Sequence, residues 1–575
     1  MLHSKTITAI CLASLMCTSI KGEEWGGWEY KDIYMPENIS PHNHYNLNHV
    51  DTDWGIWGHN LYRVIGKNIP DEAMAMSNGE RDGEQLCFSS DFVHRKISDY
   101  IKSEFSSNTP QRFVIMPYDN TIACCCEKCK ALGNKPGNAT PAVTNLIMRL
   151  CREFPAHTFY TSYYMSTAHL PAKPLPANAG VLISAIDWPL RSVQSSKGDK
   201  FKTLLTEWKT LTDRIYIWDY ICNFDDYFTP LPTLSIMQQR IQLYANTGVK
   251  GLFLNGSGDR YCIFSDLTTY VLQGLMADPQ KNWETLAKGY LNANYPISGN
   301  LIAEYIISLE EECARRGKQL QYYAGTHEAI KEYLDTDRFS RFYQELAKMQ
   351  PKLTGNEASN VSKMLAALSL TRLEIARIQN EDSNPSIWIN SLRQATKYPE
   401  MQKYNETGWT VADYIRDYTQ TDIPKNDILR GCRFKALTAL DEDYTDTRIL
   451  TDGKDALPSN YHCGWLVSSI YRQLELYVDI PADKTTDKMK LSISLLHSPK
   501  YRFTLPEAIE VWSNSAKLAT IRPTLADTTD KPAKINAETT LNLKDKTNLT
   551  IKLIRKTGRK SLMGIGEITL KPQQI

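Results

Sequence analysis

Three aspartates in the first half of the chain, Asp119, Asp187 and Asp219, each follow a short apolar or aromatic run and sit beside a carboxamide or a ring. Asp119 precedes Asn120, Asp187 precedes Trp188, and Asp219 lies between Trp218 and Tyr220. Carboxylates brought to one face in this way are enough for glycoside hydrolysis, which needs one protonated acid and one base or nucleophile. Asp119 and Asp219 read as that pair, with Asp187 in reserve. The competing reading is that one or more of them only binds hydroxyls or holds an arginine. Trp54, Trp57, His59, Asn60, Arg81, Asn120, Tyr163, Tyr164, Trp188, Trp218, Tyr220 and Asn255 are the expected substrate contacts. Flat rings stack on the apolar faces of pyranoses, and amides and imidazoles bind hydroxyls. Any one of the tryptophans could instead be core.

A second constellation follows Asn120 directly. Cys124, Cys125, Cys126 and Cys129 contain C-x-C-x-x-C. Cys124, Cys126 and Cys129 could hold zinc if a further ligand came from elsewhere. They could also close a small disulfide loop, which export favours. The expectation is structural or disulfide cysteines, with no metal and no cofactor. No histidine lies near in sequence, which argues against a catalytic thiol.

Positioning such residues requires strands that end together. Short apolar runs at Glu29–Tyr34, Thr52–Trp57, Gln85–Phe88, Arg112–Met116, Thr158–Tyr164, Val181–Ile186, Ile215–Trp218 and Gly251–Leu254 read as eight strands. Val143–Glu153, Phe201–Leu211, Ile236–Tyr244 and Leu267–Met276 repeat apolar residues at helical spacing between them. The pattern predicts an α/β fold, a (β/α)8 TIM-like barrel over 23–299, whose strand ends carry the chemistry. The stretch His169–Ala179, with three prolines, is too Pro-rich for a helix, so the barrel is expected to be irregular.

From 300 to 426 the periodicity is helical throughout and predicts a bundle, with Glu310-Glu311-Glu312 read as a solvated face or a helix start. From 427 to 575 short alternating runs predict a β-sandwich of jelly-roll type. With 575 residues, two to four domains are expected. Lys+Arg 66 against Asp+Glu 65 gives a net charge of +1, which speaks against nucleic acid or a charged membrane as partner. Residues 1–22 join one lysine to an apolar run and small residues, the pattern of a secretory signal peptide. A lipoprotein would use Cys17, but Leu15-Met16 fits such a site poorly. No later run is long enough to span a bilayer. The protein is therefore expected outside the cytoplasm, in the periplasm or at the cell surface.

The runs PYDNTIACCCEKCKAL, IWDYICNFDDYFTPLPTLSIMQQRIQLYANTGVKGLFLNG and SDLTTYVLQGLMADPQKNWETLAKGYLNANY, with WGIWGHNL and GEQLCFSS upstream, resemble the DUF4838 family over roughly residues 50–300. That resemblance implies a sugar-active barrel of exported bacterial glycan-degrading systems, distantly related to α-glucuronidases and β-hexosaminidases. Asp119, Asn120, Trp218 and Asp219 would lie at its active face. Asn120 stands where β-hexosaminidases carry a glutamate, so their substrate-assisted chemistry is not implied. The stretch ILTDGKDALPSNYHCGWL, with LELYVDIP and PEAIEVWSNS, is similar to discoidin-like (F5/8 type C) modules, which often bind sugars but in many cases are only structural. The expected function is hydrolysis of a complex or acidic polysaccharide, with an oligo- or polysaccharide as partner. The alternatives are a non-catalytic glycan-binding protein and a zinc-dependent hydrolase using the cysteines.

Overall fold

The computed structural model describes residues 27–40, 45–188, 190, 192–381, 383–420, 426–441, 444–469, 473–525, 531–556 and 561–573. The expected leader, 1–22, lies outside them.

Nine strands form in the first part: β1 (Tyr30–Tyr34), β2 (Trp54–Ile56), β3 (Met74–Ser77), β4 (Glu80–Leu86), β5 (Arg112–Val114), β6 (Thr158–Tyr163), β7 (Ala179–Ser184), β8 (Ile215–Tyr220) and β9 (Gly251–Asn255). Seven of them make one parallel sheet in the order β1-β9-β8-β7-β6-β5-β2. The expected strand at Gln85–Phe88 is not among them. Its first residues belong to β4, which pairs antiparallel with β3 in a hairpin of its own. The turn between the two is Asn78-Gly79, with φ of 51° and 88°. Two successive left-handed residues match the right-handed twist of a tight hairpin, so the Asn-Gly pair turns the chain back on itself.

The parallel sheet curls, bringing its two edges together: Tyr30 of β1 and Trp54 of β2 meet edge to face at 5.4 Å. Among the described residues no ladder joins β1 to β2. The seam is instead bridged by the segment before β2. Asn48 exchanges two hydrogen bonds with the Lys31 backbone, its side chain accepting one of them, and also donates to Asp53. Asn38 donates to the buried Asp32 and to the Asn48 carbonyl.

Helices 140–153, 196–209, 234–247 and 265–277 follow β5, β7, β8 and β9 and cover the outside of the sheet. The β6–β7 connection holds only a 3-10 turn at Met165–Thr167, as its prolines require. Helices from Trp283–Asn294 to Val411–Thr419 come next. Their axis is Gly355–Gln379, in which Met364–Ala376 is an unbroken buried run. Such all-round burial explains why a 25-residue helix needs no amphipathic stripe. Glu310, expected in a solvated run, is buried: its carboxylate accepts the Leu234 and Ser235 amides at 2.7 and 3.3 Å. It satisfies the start of the helix after β8 from a distant element.

The C-terminal part holds β10 (Lys435–Ala436), β11 (Leu466–Ser468), β12 (Gln473–Asp479), β13 (Met489–His497), β14 (Ala508–Ser513), β15 (Ala516–Ile521), β16 (Ala533–Leu541), β17 (Asn548–Ile554) and β18 (Met563–Pro572). They form two antiparallel sheets, β10-β12-β17-β14-β15 and β11-β18-β13-β16. Leu474, Leu476 and Val478 of one and Leu491, Ile493 and Leu495 of the other alternate into a shared core.

The loop after β8 holds these parts together. Residues 221–230 are all buried. Asn223 pairs with both backbone groups of Ala324. Phe224 and Tyr227 donate their amides to Tyr322 and Tyr404, and Asp225 accepts from Tyr461 and from His462 at 3.0 Å.

Burial also sets a pH dependence. It pushes Asp32, Glu37 and Glu310 up to about 7 and Asp226 up to about 6. Folded carboxyls that hold protons more tightly than unfolded ones stabilise the fold fully below about pH 4, and the contribution is lost as pH rises through 6–7. His462 acts in the same direction: burial pulls it down, but its Asp225 bond and the charges of Asp225, Glu328 and Asp226 together leave it raised. The melting temperature is expected to fall by several degrees between pH 5.5 and 8, measurable by calorimetry. A flat or rising profile would contradict it.

Candidate functional site

Alternation along the strands decides which side chains face the inside of the curled sheet. Tyr30, Trp54, Tyr160 and Tyr216 fill its lower interior with Val114, Leu182 and Phe253. Above them lie Tyr34, Trp57, Tyr164 and Trp218, all half-buried. Trp57 and Trp218 stack at 5.1 Å with planes 18° apart, and Phe253 packs edge-on against both at 4.7 and 5.0 Å. Gly58 suits the left-handed turn that follows Trp57. Its φ is 55°, and a Cβ there would meet the Trp218 ring at 3.4 Å.

The next layer is polar. His59 Nδ1 lies 2.6 Å from the Pro117 carbonyl, which orients its ring 5.8 Å from that of Tyr164. The Tyr164 hydroxyl donates to Asp119 at 3.0 Å, and Asp119 itself is exposed. Asp187 is exposed as well, and its charge contributes to raising both Tyr163 and Tyr164, after burial. Tyr220 continues the inward series from Trp218, with its ring 6.4 Å away and its hydroxyl 3.2 Å from Ser184. Asn60 and Asn255 lie half-buried at the same strand ends.

Asp219, between two inward residues, points the other way. It has no exposed surface, and Arg240 Nη1 donates to Oδ1 at 2.6 Å while Tyr244 donates to Oδ2 at 2.6 Å. The Tyr220 amide also donates to Oδ1. Trp188 belongs to the same buried cluster: it stacks on Phe201 at 4.2 Å, and the Arg240 guanidinium lies over its ring at 4.2 Å. Tyr163 packs edge-on against Trp208 on the helix side of the sheet. Asn120 uses its amide to accept from Gln85 and Ile122 and to donate to the Glu84 carbonyl, so it ties its loop to β4. Arg81 donates to the Met74 carbonyl and lines the groove beside the cysteines.

One acidic residue joins this face from the helical part. Glu406 accepts from the Tyr323 hydroxyl at 3.3 Å, and its backbone carbonyl accepts from Arg260 at 2.6 Å. Glu406 is exposed, like Asp119, but the protein around it still raises its carboxyl, opposed by the Tyr323 bond and the Arg260 charge and reinforced by the Asp225 and Asp119 charges. Asp119 and Glu406 both help to raise Tyr220, after burial. The sequence offered no sign of Glu406, which sits in a turn between helices.

The cysteines gather away from the aromatic floor. The Sγ atoms of Cys87, Cys124, Cys126 and Cys129 all lie within 4.8 Å of one another, and none is in a disulfide.

Residues 29–307 match the sequence model of the family described as "Domain of unknown function (DUF4838)". Among curated proteins, none matches the sequence. Among solved structures, a CpGH89 variant from Clostridium perfringens, in complex with GlcNAc-α-1,4-galactose, is 12% identical with a TM-score of 0.33. The alignment covers 56% of this chain and 37% of that one. Chitosan-binding module 1 from a chitosanase/glucanase of Paenibacillus sp. IK-5 is 8% identical over 25% of this chain and 97% of the module, with a TM-score of 0.16. The N-terminal cellulose-binding domain of Cellulomonas fimi β-1,4-glucanase C is 12% identical over 27% of this chain and 99% of its own, at 0.17. At these TM-scores the likenesses carry no weight for function.

Proposed function

With residues 29–307 a DUF4838 domain, we propose that the chain is an exported glycoside hydrolase working at the mouth of a (β/α)8-derived barrel. The observation that carries the reading is the half-buried Trp57–Trp218 stack, taken together with two exposed carboxyls, Asp119 held by the Tyr164 hydroxyl and Glu406 held by that of Tyr323. A sugar ring resting on that stack would present its linkage to the polar layer of His59, Tyr164 and Asp119. Glu406, raised above the ordinary carboxyl value, is the proton donor to the glycosidic oxygen. Asp119 supplies the base or nucleophile at the anomeric carbon, with Asp187 in reserve. Asp219 positions the strand end through Arg240 instead of touching substrate. Asp119, Asp187 and Glu406 are exposed carboxyls, so neutral glycans are favoured over acidic ones. No helix among the described residues is long and apolar enough to cross a membrane.

The test is reducing-end release from a panel of plant, host and microbial glycans, beside affinity for each of them. Release from a neutral glycan, abolished in Trp218→Ala, is the expected result. Affinity without release from any glycan would assign a non-catalytic glycan-binding protein. Neither release nor affinity would overturn both readings.

A further inference from the structure

We propose that Cys87, Cys124, Cys126 and Cys129 bind one zinc ion as a closed tetrathiolate, and that this site braces the loop carrying Asp119. The sulfur of Cys87 lies 3.7 Å from that of Cys126 and 3.8 Å from that of Cys129. Four thiolates around zinc at about 2.3 Å form a tetrahedron with edges of about 3.8 Å. A disulfide would bring one pair to about 2.05 Å and leave the other two sulfurs unexplained. Three of the run's four cysteines face one another, and Cys87, just after β4, supplies the fourth sulfur.

The surroundings suit thiolates. The Met76 amide donates to Cys124 Sγ at 3.2 Å, and the Ser89 hydroxyl lies 3.1 Å from Cys129 and 3.3 Å from Cys87. Donors of this kind hold metal-bound sulfurs in place. Cys125, in the middle of the run, turns its sulfur to the Ala123 carbonyl at 3.6 Å and takes no part.

Four protein ligands leave no open position, which makes the site structural and not hydrolytic. Its place in the chain gives it a purpose. Asp119 lies between Tyr118 and Asn120, and both are held by β4: Gln85 accepts from the Tyr118 amide at 3.1 Å and donates to Asn120 at 3.0 Å. Those bonds anchor one side of the loop to the hairpin. The metal would anchor the other side to the residue that leaves the same hairpin.

The test is the metal content of the full-length protein purified without chelators. One zinc per chain is expected, kept in Cys125→Ser and lost in Cys87→Ser and Cys129→Ser. Cobalt in place of zinc in the wild-type protein should give the intense thiolate-to-cobalt charge-transfer and tetrahedral ligand-field bands, a readout independent of how the variants fold. A strong chelator should lower the melting temperature of wild type and Cys125→Ser alike. A wild-type protein that takes up neither zinc nor cobalt, or whose four thiols resist alkylation without reductant because they are paired, would overturn the proposal. So would zinc retained in Cys87→Ser. None of these readouts depends on glycan hydrolysis, so the metal site stands or falls apart from the enzyme.

Discussion

Asparagine in place of Asp119 is expected to lower glycan hydrolysis by roughly 10²–10⁴-fold while leaving affinity for the glycan within a few-fold. The substitution keeps the shape and an oxygen to accept the Tyr164 hydroxyl at the present 3.0 Å, so the loop has no reason to move. What it removes is the charge that a base or nucleophile needs. Glu406→Gln is expected to match the loss by the opposite route, since it keeps an acceptor for Tyr323 and removes the transferable proton. The two variants should differ in their pH profiles. Because the Glu406 carboxyl is raised, activity limited by its protonation falls as pH climbs through that raised value, and the residual activity of Glu406→Gln should lack this alkaline limb. Reducing-end assays across pH, with calorimetric binding beside them, read both effects. Full activity in either variant would remove that residue from the mechanism.

Arg240→Ala should destabilise the protein by about 3–5 kcal/mol, the usual consequence of leaving one partner of a buried ion pair uncompensated. Arg240 and Asp219 have no exposed side-chain surface. The guanidinium also donates to the Trp188 carbonyl at 2.8 Å and covers the Trp188 ring. Its removal therefore strands a carboxylate, frees a carbonyl and opens a void at once. Asp219→Asn should be milder, because the amide oxygen can still accept from Arg240 and the Tyr244 hydroxyl can turn to accept from the amide nitrogen, while the charge on residue 219 is lost. At temperatures where Asp219→Asn remains folded, its hydrolytic rate should stay close to wild type. A loss comparable with that of Asp119→Asn in a fully folded Asp219→Asn protein would restore Asp219 to the acid/base pair. Urea denaturation followed by circular dichroism measures the stability.

The contrast between Asp119 and Asp219 shows what a sequence can and cannot disclose. Strand ends were visible because apolar runs stop at polar residues, and the seven parallel strands lie where those runs fall. The eighth was misplaced although its correction was legible: Asn78-Gly79 is a strong hairpin signal, and it folds the following strand away from the parallel sheet. Period-two alternation likewise makes it impossible for Trp218, Asp219 and Tyr220 all to face one side, and the two aromatics won the interior. Other parts had no local trace. Glu406 reaches the site only because helices fold back over the barrel. Cys87 lies 39 residues before Cys126, and nothing in the intervening chain marks it as a ligand.

The buried loop after β8 carries a lesson about inheritance. Asn223 and Phe224 bond the segment around Tyr322–Ala324, Tyr227 bonds Tyr404, and Asp225 bonds Tyr461 and His462, three separate later segments of the chain. A barrel cut free after its last strand would expose those apolar rings and unpaired amides to water, an invitation to aggregate. The C-terminal sandwich thus differs from a module that can be shuffled between proteins as a cassette. The curled sheet, helices and sandwich are therefore expected to melt in one transition, and changes in the loop after β8 to register in the helical and C-terminal parts as well.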